Sequence, residues 1–331
     1  MKNAPILSSL LCVVLVGCVP SERDGQPSST QQPVINGTPT VKGDYPATGA
    51  LVLGSDPFFS VSCSGTLIHP RVVLTAAHCV DPQFIGKDTP GFTLALDANE
   101  VEGAEVTAGV ATVKHENFDL TVTPPVGVQT WYDIGLLFLA EPITSVTPEI
   151  VATPTEAAGL TVDMPIELVG YGVTTVDNQG GGVKYQGVGD LVVIGSHELQ
   201  ISMPGQQQNC YGDSGGPGFT DLGGERRIVG VVSRSPDADH ADCDIGGIDT
   251  RADAYLDWIN QQIADFFAGI APDAGVTPDA SVTPDATVTL DAGEEGGGED
   301  GCGCSSNSSG GSTSALVILL GAAFALRRRT S

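Results

Sequence analysis

The sequence predicts an all-β protein that ends in a single helix. Three observations carry this expectation. Glycine (43) and proline (22) are frequent. The apolar residues fall in short runs broken by turn residues, and long helical patterns are scarce. In chain order the strand candidates are ATGALVL, GTLIHPRVVLTAA, DIGLLFL, IELVGYG, GDLVVIG and RIVGVVS. Near the end of the folded span, DAYLDWINQQIADFF puts Leu256, Ile259, Ile263, Phe266 and Phe267 at helical spacing, with Thr250 or Asp253 as the expected N-cap. A chain of 331 residues is long enough for one or two domains with a core.

The net charge of −26, from 40 acidic against 14 basic residues, argues against nucleic acid and anionic membrane surfaces as partners. Lys2 and the apolar run Ile6 to Val16 form a signal-peptide pattern. The run ends in LVGC, which resembles a bacterial lipobox and implies lipidation of Cys18; an ordinary secretory signal is the alternative. Residues 1–18 are thus a signal segment, and 19–33 a polar tether or propeptide. Residues 34–268 read as the folded domain.

Residues 269–300 carry a period-six repeat, VTPDAS, VTPDAT, VTLDAG, which buries no core and reads as an acidic stalk. Residues 301–331 combine Cys302 and Cys304, an apolar run from Ala315 to Leu326, and Arg327 to Arg329. That order resembles the MYXO-CTERM sorting tails of myxobacterial surface proteins; a plain membrane anchor is the alternative. Either reading places the domain outside the cytoplasm, at the surface of a Gram-negative cell or released from it. The even set Cys63, Cys79, Cys210 and Cys243 in the body fits disulfides in an oxidising compartment.

Three short motifs point to chemistry. CSGTLIHPRVVLTAAHC ends in His78–Cys79, YDIGLLFL opens on Asp133, and QNCYGDSGGPG holds Ser214 among glycines. A serine hydroxyl is a weak nucleophile at neutral pH and needs a base in reach. Histidine suits that task because its pKa lies near operating pH, and a carboxylate on the other ring nitrogen fixes the tautomer.

The order His, Asp, Ser in these surroundings resembles the trypsin/chymotrypsin family of serine proteases over about Val34 to Phe267. TAAHC and GDSGGP match its motifs, and DIGLL has glycine for the usual alanine. The resemblance implies two packed six-stranded antiparallel β-barrels with a C-terminal α-helix. It implies a triad of His78, Asp133 and Ser214, an oxyanion hole from the amides of Gly212 and Ser214, and disulfides Cys63–Cys79 and Cys210–Cys243. The activity implied is extracytoplasmic peptide hydrolysis, with no required cofactor. A catalytically silent binding module on the same scaffold is the second reading.

Activation in that family pairs a new N-terminal amine with the aspartate before the serine. Here those are Val34 and Asp213. The bond cut would follow Pro33, so the activating protease is not tryptic, unless trimming starts from Arg23. A cut there also severs the domain from any lipid on Cys18, leaving the C-terminal tail as the remaining anchor.

The implied specificity pocket is formed by Gln208, Ser235 and Gly247. Gln208 is neutral where the trypsin subgroup has an aspartate. A cationic substrate side chain would be buried there without a partner, so cleavage after arginine or lysine is not expected. Small, polar or moderately apolar residues are favoured instead. Arg234 stands in place of the usual tryptophan and Ser235 in place of a glycine. Asp249, where tyrosine is usual, would bring a carboxylate near the floor. LDANEVEGAE resembles a calcium-binding loop, with Asp97, Glu102 and Glu105 as oxygen ligands, or is a solvated acidic loop. No cysteine–histidine cluster in the body suggests zinc.

Overall fold

A computed structural model describes residues 34–56, 58–86, 89–173, 181–237 and 243–269. The signal segment with Cys18, the tether, most of the stalk and the C-terminal tail lie outside the described residues.

After a two-residue strand β1 (Thr38–Pro39), six strands close the first barrel: β2 (Thr48–Ser55), β3 (Phe58–His69), β4 (Val72–Thr75), β5 (Gly91–Thr93), β6 (Thr107–Lys114) and β7 (Gly135–Leu139). They pair antiparallel in the order β2-β3-β4-β7-β6-β5, and β5 returns to β2. The second barrel uses β8 (Pro165–Gly170), β9 (Tyr185–Ile194), β10 (Glu198–Ile201), β11 (Pro217–Asp221), β12 (Arg226–Arg234) and β13 (Gly247–Arg251). Its order is β9-β10-β13-β12-β11-β8, closed by β8 on β9, with β1 added outside β9. The expected all-β fold of two six-stranded antiparallel barrels and a C-terminal helix is therefore the observed one.

Burial explains the sequence pattern. Every residue of β7, GLLFL, is buried: the strand runs between β4 and β6, and its Phe138 ring stacks on that of Phe266 with centroids 4.1 Å apart. One apolar cluster takes Leu67, Val73 and Phe138 from the first barrel and Val169, Phe219 and Val231 from the second. A second fills the second barrel with Ile166, Leu191, Leu199, Ile201 and Val229.

The terminal helix spans Leu256–Phe267 and lays Ile259, Ile263 and Phe266 on the first cluster. Its start corrects the expected cap. A short 3₁₀ turn, Asp253–Tyr255, precedes it and neither N-terminus has a side-chain cap. Thr250 lies inside β13 and donates to the Asp133 carbonyl, while the Asp253 carboxylate is taken up by Arg251 at 2.7 and 3.0 Å.

Candidate active site

The site is built where the two barrels meet. Asp133 precedes β7 and is fully buried. One of its oxygens, Oδ1, accepts the His78 N–H at 2.9 Å. The other, Oδ2, lies 2.8 Å from His78 Nδ1 and accepts the Ser233 hydroxyl at 2.6 Å. His78 opens a short 3₁₀ turn directly after β4, and Cys79 beside it is disulfide-bonded to Cys63 on β3. The backbone of His78 and the Nδ1 edge of its ring are thus both held.

Burial favours neutral forms of both side chains, but their mutual attraction prevails. His78 is pulled down by desolvation, yet Asp133, with Asp81 farther away, holds it above the ordinary histidine value. Burial pushes Asp133 up, yet His78 and the hydrogen bonds from His78 and Ser233 hold it below the ordinary carboxylate value. The pair is electrostatically a base with its own counter-charge.

Ser214 lies on a turn held by backbone. Its carbonyl accepts the Ser64 N–H at 2.8 Å, the Gly215 N–H reaches Val232 O at 2.8 Å, and the Ser64 hydroxyl donates to Gly212 O at 2.9 Å. Gly212 and Gly215 have φ of 94° and 81°, a region that L side chains rarely adopt. A Cβ on Gly212 would also stand 2.8 Å from the Gly172 Cα.

Among the described residues, the N–H groups of Gly212 and Ser214 have no protein partner, and both residues line one cavity. His78 lines it as well. The Ser214 hydroxyl is not bonded to His78 here; catalytic hydrogen bonds commonly close only when substrate is bound.

Asp213 is fully buried behind this turn. It accepts the N–H of Gly172 and of Cys210, each at 2.8 Å, and that of Val34. Burial nevertheless pushes its carboxyl up to about 7, with those three N–H groups pulling the other way. Val34 is itself buried, at φ 47°, an unusual angle for a β-branched residue. Val34 and Asp213 are therefore neighbours in the uncut chain.

The cavity measures about 880 Å³. Phe59, Phe84, Leu120 and Trp131 make much of its wall apolar, and Ser235 and Gly247 line it as expected. Gln208 departs from expectation. It is buried but does not line the cavity, because its side-chain oxygen accepts the Gly246 N–H and its backbone pairs with Ile35. Asn209, its neighbour, lines the wall instead.

Asp249 also departs. Its side chain enters the interior of the second barrel, not the pocket floor, in the space left by two glycines. A Cβ on Gly218 or Gly230 would stand 2.8 or 2.5 Å from its Oδ2. Among the described residues neither carboxyl oxygen has a partner, and burial pushes the group up to about 8.

The folded state keeps a proton that the unfolded chain releases near pH 4, so Asp249 costs stability progressively from about pH 4 to pH 8 and no further above it. Asp249→Asn is expected to gain in Tm relative to the native chain as pH rises from 5 to 8. Parallel Tm–pH curves would contradict this.

The structure does not bring Asp97, Glu102 and Glu105 together. Asp97 accepts the Asn99 N–H at 2.9 Å, while Glu102 and Glu105 cap each other's backbone around a 3₁₀ turn. The three carboxylates form no cluster. Among the described residues, Cys63, His78 and Cys79 are the one group with ligating atoms within 4.8 Å, and its two sulfurs are joined in a disulfide. The second expected disulfide, Cys210–Cys243, is formed on the cavity wall. Sequence reasoning missed the part played by Ser233, which its position next to Arg234 gave no reason to connect with Asp133, and by Glu198.

Comparison with known proteins agrees with this architecture. The family model described as Trypsin matches residues 34–259. Chymotrypsin-like elastase family member 1 of Canis lupus familiaris is 28% identical over 253 residues, covering 71% of this chain and 94% of that protein. Chymotrypsin-C of Rattus norvegicus is 28% identical over 256 residues, covering 72% and 91% respectively.

Proposed function

Because the chain belongs to the trypsin family of serine proteases, we propose that it is a serine endopeptidase acting through His78, Asp133 and Ser214. The observation that carries this reading is that His78, held by the buried Asp133, lines the same cavity as the Ser214 turn. Ser214 Oγ attacks the scissile carbonyl carbon as His78 Nε2 takes its proton. Asp133 holds the Nδ1–H and stabilises the imidazolium. The N–H groups of Gly212 and Ser214 receive the oxyanion. His78 then protonates the leaving amine, the acyl-enzyme forms, and water reverses the sequence. The silent-module reading has no observation of its own in its favour.

Activation by a cut before Val34 belongs to the same proposal. The cut abolishes the unusual φ of Val34 and turns an amide N–H facing Asp213 into an ammonium. A buried carboxyl pushed up to about 7 then gains a counter-charge and ionises. We propose further that the protein is exported and held at a cell surface through Cys18, the C-terminal tail or both, and that after the cut only the tail anchors it. Active protein whose chain still begins at Cys18 would overturn this order of events. No calcium is assigned to the acidic loop.

For specificity, an apolar wall and a lining that holds no carboxylate among the described residues favour neutral side chains before the cut. On a diverse peptide library, the chain beginning at Val34 is expected to cut after small or apolar residues, and Ser214→Ala not at all. Cuts mainly after arginine or lysine would overturn the pocket reading.

A further inference from the structure

The segment between β6 and β7 belongs to the first barrel, yet a side chain of the second holds it. Arg234, at the end of β12, forms a two-pronged pair with Glu198 on β10, Nη1 to Oε1 at 2.7 Å and Nη2 to Oε2 at 2.8 Å. Both side chains are buried, at 7% and 1% exposure. The remaining capacity of the pair goes to one loop. Arg234 Nη2 donates to Gly127 O at 3.1 Å and Nε to Pro125 O at 3.4 Å. Glu198 Oε2 accepts the Gln129 N–H at 2.7 Å. The guanidinium also lies over the Trp131 ring, 5.3 Å from its centroid.

A buried ion pair is poor evidence for stability, because well-packed apolar side chains commonly do as well. What apolar residues would not supply here are directed bonds to the backbone of residues 125, 127 and 129. The loop held this way places Leu120, Pro124 and Trp131 on the wall of the cavity that Ser235 also lines. Two further bonds reach it from the second barrel, Gly127 N–H to Pro236 O at 2.7 Å and Thr130 Oγ1 against His197 Nδ1 at 3.1 Å, and Val122 and Val126 are exposed. The charge of Arg234 is spent on Glu198, so the residue does not act as an anchor for an acidic substrate.

We infer that the Arg234–Glu198 pair is a positioning clasp that fixes residues 124–131 along the cleft and so governs the use of extended peptides. Arg234 and Glu198 are positioning residues, not catalytic ones. The inference rests on the peptidase reading above and names the part of the substrate it concerns, the residues upstream of the cut beyond the first.

The test compares two substrates with the same residue at the cut, an extended peptide with four residues before it and a single-residue ester. The enzyme is the chain beginning at Val34, quantified by fluorophosphonate labelling of Ser214. Removing both charges in Arg234→Met/Glu198→Met avoids a stranded ion. Its ratio of kcat/KM, extended over single-residue, is expected to fall by about 10²-fold, the scale of misplacement by a remote change, with the loss mainly in KM.

Arg234→Lys keeps a paired charge but loses the two-pronged geometry, and is expected to give an intermediate ratio. It supplies the answer if the double variant does not fold. An unchanged ratio, or an equal loss on both substrates, overturns the clasp. Native chain that takes no label and hydrolyses neither substrate overturns the peptidase reading itself.

Discussion

Ser214→Ala is expected to lower kcat by about 10⁶-fold, and His78→Ala by a similar factor, because nucleophile and base act as one unit. The two losses should not add. Once the base is gone the hydroxyl is no longer activated, and once the hydroxyl is gone the base has no proton to take. Asp133→Asn should cost less, about 10⁴-fold, since the ring stays placed but loses the carboxylate that fixes its tautomer. Asparagine at this site also loses an acceptor for Ser233 or for His78, because Oδ2 serves both. Steady-state kinetics of the single and double variants checks this. Multiplying losses would show that the residues work independently.

Asp213→Asn is expected to lower kcat/KM by about 10²- to 10³-fold, the size of losing an oxyanion donor. The carboxylate accepts three backbone N–H groups, from Gly172, Cys210 and Val34, with two oxygens. An amide offers one acceptor and turns an NH₂ towards donors. The turn that aims the Gly212 and Ser214 N–H groups would lose its support from behind. The effect should be larger in chains cut before Val34, where the ammonium loses its partner as well. A fall of only a few-fold would mean that the glycine turn and its bonds to Ser64 and Val232 hold the oxyanion geometry alone.

Much of the site was legible in the sequence because its chemistry restricts residue type. A base, a carboxylate and a serine between glycines of positive φ leave few substitutes, so TAAHC, DIGLL and GDSGGP stand out locally. Two strands with continuous buried runs were legible for a related reason, since β7 and the middle of β12 are apolar on both faces. Strand β6 was not, because its burial is only partial and its sequence, TAGVATVK, has no apolar run. Strand β11 was hidden inside the serine motif.

What local reading could not supply is direction and partnership. Gln208 sits at the expected place in the chain but bonds Gly246 behind the wall. Asp249 follows the pleat into the barrel, where Gly218 and Gly230 leave it room. Glu198 lies in a four-residue strand and meets Arg234 36 positions later. No spacing rule announces such a pair.

The central claim is that Ser214 is a nucleophile activated by His78. The most direct measurement is fluorophosphonate labelling of the chain beginning at Val34, mapped by mass spectrometry, beside His78→Ala. Modification confined to Ser214, rising with pH as His78 loses its proton and absent from His78→Ala, is the predicted result. Folded chain that stays unlabelled, or that is labelled equally without His78, would contradict the account.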